Sequence, residues 1–382
     1  MSDLVSYFED RTPQMLALLE QMVRHESPTS NKLLVDQFGR FLHEVVSELG
    51  ADIEVLPRET VGDIRLAKWN ADAPGKPLLL LMHIDTVWPE GTLANEVPLR
   101  LTDTSIHGPG ALDMKGGILV ILEAIRGLRA CNEFPNRPIW MLLTSDEEVA
   151  STHSRELIQE IATQAGLVIV PEPAGEGEAI KSSRKGIGRY WIRSEGLASH
   201  SGNAPEAGIN AIIDNAQQAL ILHDMNDLPN GTSVSITQIK GGTAMNVIPA
   251  FCELYADVRF TRATEAERIH QQINDLEAVV PGAKVVVKGW IDRPPLERND
   301  IMLATVKQAK AIAESLGLPF SESFSGGGSD GNFTGALGIP TLDGMGPEGA
   351  GMHAAHEHVL IRSIPRRAAF IAAIIRDWQM AE

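Results

Sequence analysis

Five consecutive apolar residues, Leu78–Met82, run without alternation into His83, Ile84 and Asp85. A strand with one wet face alternates apolar with polar residues. A run that does not alternate suits a strand covered on both faces, as in a parallel sheet between helices. Ionisable groups at the end of such a strand are costly to bury uncompensated, and the carboxyl ends of strands are where open α/β sheets bind ligands. The pattern recurs: Ile139–Leu143 runs into Asp146, Glu147 and Glu148, and Leu167–Val170 ends at Glu172. Helical spacing between Met114 and Arg129 separates the first two runs. Three apolar strands that each deliver His or carboxylate at one end predict an α/β domain with polar groups converging on one sheet edge.

Residues from about Asp3 to Gly50 read as two helices, with Leu16, Leu18, Leu19, Met22 and Val23 as an apolar stripe, and "ADIEVLP" and "IRLAKWN" read as further strands. After about Ser182 the character changes. "GIGRYWIRSEG", "TSVSITQIKGG", "CELYADVRF" and "AKVVVKGW" read as strands, with two helical stretches between them, the pattern of a small α+β unit with helices over one sheet face. From Asn299 the helix–glycine–strand pattern returns, so the middle reads as an insertion. The expected division is a discontinuous α/β domain of residues 1–182 and 294–382, with a mixed, mainly parallel sheet between helices, and an inserted α+β domain of residues 183–293. A chain of 382 residues accommodates two such cores.

The formal net charge of -17 argues against a nucleic-acid partner. Two cysteines, Cys131 and Cys252, are too few for a disulfide framework or a thiolate zinc site. The N-terminal stretch lacks the basic start and apolar core of a secretion signal, and no stretch approaches the roughly 20 apolar residues of a membrane span. A cytoplasmic enzyme or binding protein with no membrane partner is expected.

The residues that carry chemistry are His83, Asp85, Asp113, Glu147, Glu148, Glu172 and one histidine of "GMHAAHEHV". Carboxylates and imidazoles without thiolates suit zinc, manganese or cobalt. Gathered at one edge without cations, the carboxylates would repel one another. Two divalent ions about 3.5–4 Å apart need a bridging carboxylate and terminal ligands on each side. Two histidines and three carboxylates meet that need, and a further acid remains to act on a bridging water. Each residue also has a plainer role: His83 and Asp85 could bond each other, Asp113 could cap the next helix, Glu147 and Glu148 could open a solvated helix, and Glu172 could be a loop residue. Those roles would have to coincide at three strand tips.

With these residues assembled, the chain resembles the M20 metallopeptidase family, and most of all its glutamate carboxypeptidase branch. The resemblance runs over nearly the whole length through "MHIDTVWPEG", "GPGALDMKGG", "TSDEEVAS", "PEPA", "SSRKGIGRYWI", "ASHSG", "GGTAMNVIP", "ADVRF", "SGGGSDGN" and "GMHAAHEHV", in that order. It implies two Zn2+ per chain, with Co2+ or Mn2+ as alternatives: His83 and Glu172 on one, Glu148 and His353 on the other, Asp113 between them. His353 stands where the family's G-x-H loop places its ligand; spacing alone does not choose it over His356 or His358. Asp85 would accept the second N–H of His83, and Glu147 would be general base and acid.

The middle domain resembles the family's ferredoxin-like dimerisation lid, which implies a homodimer and closure on linkers near Ser183 and Arg293. His200 would polarise the scissile carbonyl, in its own or the partner subunit. Asn246 and Arg259 would hold the substrate carboxylate, the latter by two parallel hydrogen bonds where its plainer role is an ion pair on its strand, and Gly327 and Gly328 would let backbone approach substrate. The implied activity is hydrolysis of an amide bond next to a free carboxylate, releasing a C-terminal glutamate or similar amino acid from an acyl or peptidyl group. N-acyl amino acid deacylases (acetylornithine deacetylase, succinyl-diaminopimelate desuccinylase, aminoacylases) and dipeptidases are the alternatives within the family. A non-catalytic peptide-binding relative is the alternative from another class.

Overall fold

All six residues of the strand Leu78–His83 are buried, because it lies inside an eight-stranded sheet in the computed structural model, which describes residues 3–380. Ile139–Thr144 and Leu167–Val170 flank it, both parallel to it. Thr341–Asp343 adds a further parallel strand beside Leu167–Val170. Ile64–Trp69 and then Asp52–Leu56 extend the other side antiparallel. The strands that end in His83, Glu172 and the 146–148 acids therefore point the same way, which is what brings their tips together.

One face of this sheet, including Leu79, Leu81, Leu142, Val168 and Val170, packs with Ile158, Ile161 and Phe333. Behind the other face the helix Gly116–Ala130 is buried along most of its length and packs against Ser363–Asp377. Burying each of the strand leucines stabilises the fold by at most about 1.5–3 kcal/mol, so the apolar run is the foundation on which the polar tips rest.

The N-terminal region forms three helices rather than the two expected, Asp3–Asp10, Thr12–Arg24 and Lys32–Glu48. The extra break falls at Arg11, and Pro13 sits in the first turn of the following helix, where a missing N–H costs nothing. After the second helix the chain turns to run beside the tip of the central strand. Thr86 N–H donates to the Ser27 carbonyl at 2.8 Å and Thr29 N–H to the Thr86 carbonyl at 3.2 Å.

The chain divides into two compact units, the first containing the large sheet and the second comprising Arg184–Glu297 with Gly326–Gly328. The second is a four-stranded antiparallel sheet in the order Ser233–Gly241, Phe251–Phe260, Gly186–Glu195, Lys284–Arg293. Phe251–Phe260 buries every second residue, and Tyr190, Ile192, Leu254, Ala256 and Phe260 form a core with Ile269 and Ile273 of the helix Ala263–Asn274. The unit runs past Arg293 because Leu296 pairs with Arg184 in both backbone directions. It takes in Gly326–Gly328 because their carbonyls accept hydrogen bonds from Arg259 and Arg184. Among the described residues no helix is long and apolar enough to cross a membrane.

Candidate functional site

In the first unit the strand tips assemble a cluster of nitrogen and oxygen donors. Asp113 stands at its centre. Its Oδ1 lies 3.2 Å from His83 Nε2, and its Oδ2 lies 3.3 Å from His353 Nε2. His83 Nε2 is also 3.6 Å from Glu172 Oε1, and His353 Nε2 is 3.4 Å from Glu148 Oε2. One carboxylate thus faces two imidazoles, each of which has a second carboxylate beside it. His83, Asp113 and Glu148 offer ligand atoms within 4.8 Å of one another. His353 reaches in from a left-handed backbone, φ 59°, uncommon for a residue with a side chain and a mark of sites whose geometry is over-determined.

The electrostatics follow from burying so many acids together. Burial pushes the Glu148 carboxyl up to about 7, against the hydrogen bond from His353. Hydrogen bonds to Asp113 and Glu148 drive His353 up to about 10. Burial works against a charged His83, but hydrogen bonds to Asp113, Asp85 and Glu172 outweigh it and raise it well above the ordinary histidine range. Burial likewise opposes a charged Asp113, and the two histidines hold it below the usual carboxylate range. Protons on the imidazoles here do what cations do in a metal site: they sit between carboxylates and neutralise them. Glu148 Oε1 is buried with no hydrogen-bond partner, a costly state for a carboxylate oxygen that a cation would relieve. The donor set, nitrogen and oxygen without sulfur, fits divalent zinc, cobalt or manganese.

Asp85 does more than orient His83. The His83 Nδ1 lies 3.0 Å from the Asp85 backbone carbonyl and 3.4 Å from its Oδ1, so the main chain is the nearer acceptor. The Asp85 carboxylate accepts from the backbone N–H groups of Glu147 and Glu148, both at 3.3 Å, and from Thr29 Oγ1 at 2.7 Å. It therefore fixes the turn Glu147–Val149, a single 3-10 turn, through the backbone of both acids. Thr29 gives no such signal in the sequence, because its segment is neither strand nor helix. Gly117 has a similarly hidden role. A Cβ there would lie 1.9 Å from the Pro171 carbonyl oxygen, so glycine is what lets the helix approach the loop that carries Glu172.

The second unit brings His200 and Asn246 together. Ser199–His200 pairs with Val247–Ile248, and Ser201 N–H donates to the Asn246 carbonyl at 2.9 Å. His200 is exposed, and its Nδ1 accepts from the N–H groups of Gly202 and Asn203, both at 3.1 Å. That places the imidazole proton on Nε2, facing outward as a donor. Arg259 makes its two parallel hydrogen bonds to Asp257, at 2.7 and 3.0 Å, and its Nη1 lies 3.5 Å from the Gly326 carbonyl. Gly327 and Gly328 point carbonyls at Arg184, at 3.2 and 3.3 Å.

The model for peptidase family M20/M25/M40 matches residues 79–377. The chain is 32% identical over 375 residues to carboxypeptidase G2 of Pseudomonas sp. (strain RS-16), covering 96% of this chain and 90% of that protein. It is 30% identical over 268 residues to the acetylornithine deacetylase of Photorhabdus laumondii subsp. laumondii, covering 65% of this chain and 68% of that one. Among solved structures, a tripeptidase from Staphylococcus aureus superposes with a TM-score of 0.78 at 24% identity, over 96% of this chain and 98% of the other.

Proposed function

Because the chain belongs to peptidase family M20/M25/M40, we propose that it hydrolyses, with two bound divalent cations, an amide bond next to a free carboxylate, releasing a C-terminal glutamate or similar amino acid from an acyl or peptidyl group. The observation that carries the reading is Asp113, with one oxygen on each imidazole and a further carboxylate beside each. His83 and Glu172 would hold one zinc and His353 and Glu148 the other, with Asp113 shared; cobalt or manganese would fit the same donors. Such cations supply acidification of a water and polarisation of the scissile carbonyl.

Glu147 takes the proton of the attacking water and hands it to the leaving amine. The Nε2–H of His200 donates to the developing oxyanion. Asn246 and Arg259 hold the substrate carboxylate, with Asp257 presetting the guanidinium, and Gly327 and Gly328 keep the approach free of side chains. The carboxypeptidase reading draws on the match to carboxypeptidase G2 across 96% of the chain. The match to acetylornithine deacetylase over 65% of the chain favours an N-acyl amino acid deacylase as the second reading. A panel of N-acyl amino acids, varied separately in the acyl and amino-acid parts and assayed with and without chelator, tests both. Chelator-sensitive turnover is expected, fastest with acyl-glutamate. Faster turnover of acetyl-ornithine or succinyl-diaminopimelate would move the assignment to the deacylases.

The second unit also supports a homodimer. The helix Ala211–Asp224 buries Asp214, Asn215 and Gln218, while Ile213 and Leu220 are 52% and 60% exposed. Asp214 accepts from Ser194 Oγ and from the N–H groups of Val279 and Val280, so these polar residues are tied inward beside Leu222 while Ile213 and Leu220 stay exposed. Ile239, on the edge strand Ser233–Gly241, is 52% exposed too. Exposed aliphatic residues on this helix and on an open strand edge suit a second copy of the chain. Sedimentation at micromolar concentration should give a dimer for the wild type and a monomer for Leu220→Glu with Ile213→Glu. A monomeric wild type would remove the dimer from the proposal.

A further inference from the structure

Glu357 is fully buried four residues beyond His353, and nothing in the reaction described above uses it. Its carboxylate is spent on one short stretch of chain. Oε1 accepts from the backbone N–H groups of Leu112 at 2.9 Å and Asp113 at 3.1 Å. Oε2 accepts from Gly110 N–H at 3.1 Å and from the indole Nε1 of Trp88 at 2.7 Å. Its backbone carbonyl accepts from Gly108 N–H at 3.4 Å. Every one of these donors lies on the segment that delivers Asp113 or five residues beyond His83.

The same residue closes the loop that carries His353. Glu357 N–H donates to Ala354 O at 2.8 Å, and Ala354 N–H to Gly351 O at 2.9 Å. Gly351 has φ 81°, and a Cβ there would crowd His356 and the Glu357 nitrogen. The two loops that face each other across Asp113 and His353 are thus joined through one side chain.

We infer that Glu357 is a positioning residue: its buried carboxylate grips the Gly110–Asp113 turn from behind and fixes where Asp113 presents an oxygen to each histidine. This rests on the reading of Asp113 and His353 as metal ligands. A carboxylate suits the task because four N–H donors converge on it and it has acceptors only. Glutamine has the same shape, but its NH2 group would meet either the Gly110 and Trp88 donors or the Leu112 and Asp113 donors head on. Partners behind a metal ligand of this kind typically set affinity by about 10–100-fold.

Cobalt(II) alone, titrated into chelator-treated full-length protein and followed by visible absorption, separates positioning from general support of the fold. Glu357→Gln should bind cobalt about 10–100-fold more weakly and with an altered spectrum, while its metal-free melting temperature stays near wild type. Trp88→Phe, which removes a single donor from a partly exposed residue, should weaken cobalt binding in the same direction by about threefold or more. A folded Glu357→Gln protein with wild-type affinity and spectrum overturns the inference; if that variant does not fold, wild-type affinity in Trp88→Phe overturns it. A wild-type protein that takes up no cobalt overturns the metal reading and this inference together, whereas wild-type uptake with unchanged variants overturns this inference alone.

Discussion

Glu147→Gln should lower kcat by about 10²–10⁴-fold while leaving metal content and KM near wild type. The expectation has two parts. The first is that the substitution spares the ligand cluster, because the turn that presents residues 147 and 148 is held through backbone N–H groups by Asp85, and those bonds are indifferent to the side chain at 147. The second is that glutamine keeps the shape and cannot carry a proton. Loss of turnover with retained metal is the result expected if Glu147 relays the proton. Near-normal turnover in a fully metal-loaded variant would transfer the role to another group.

Asp113→Ala should be still more severe, abolishing uptake at both cation positions and lowering turnover by at least about 10³-fold, beyond what a change behind a ligand brings. Both imidazoles lose their shared partner at once. The variant has a signature in the metal-free protein too. His353, raised to about 10 by Asp113 and Glu148, is a group whose folded pKa exceeds its unfolded one. Its contribution to stability is complete below the ordinary histidine pKa of about 6.5 and fades as pH rises towards 10. Asp113, held low by the histidines, contributes above the ordinary carboxylate pKa of about 3.9 and loses that contribution as pH falls. The stability difference between wild type and variant in chelator should therefore be largest between about pH 4 and 6.5 and shrink towards both extremes. Metal analysis with thermal melts across that range checks it; a pH-independent difference would mean that the charges are not coupled as the geometry indicates.

The strand tips were legible because their signal is local. Leu78–Met82, Ile139–Leu143 and Leu167–Val170 are unalternating apolar runs that stop at His or acids, and a parallel sheet has only one end at which to place such groups. The α+β character of the middle was legible for a similar reason, since Phe251–Phe260 alternates along its length. The supports around the site were not. Thr29, Trp88 and Glu357 lie far apart in sequence and act through hydrogen bonds between side chains or to backbone across long stretches of chain, and no periodicity encodes such contacts. Glu357 in "HAAHEHV" stands among three histidines, whose imidazoles carry the more obvious ligand chemistry. The split at Arg11 was masked because Pro13 is tolerated in the first turn of a helix and so does not by itself announce a break. Arg259 shows another limit: the sequence offers either a substrate anchor or an ion pair on its strand, and only the fold names the paired acid, Asp257 two residues earlier.

The order of the large sheet has a consequence for how the chain is made. Leu167–Val170 is sandwiched between the central strand and Thr341–Asp343, yet 170 residues lie between Val170 and Thr341 in the sequence. At about 5–20 residues per second, synthesis of that interval occupies roughly 10–30 s, during which the second unit is produced in full while an apolar strand of the first waits with one edge open. A nascent polypeptide in that condition is a natural client for holding factors, and the growing chain is most prone to misassociation after the inserted unit has emerged and before its last parallel strand arrives.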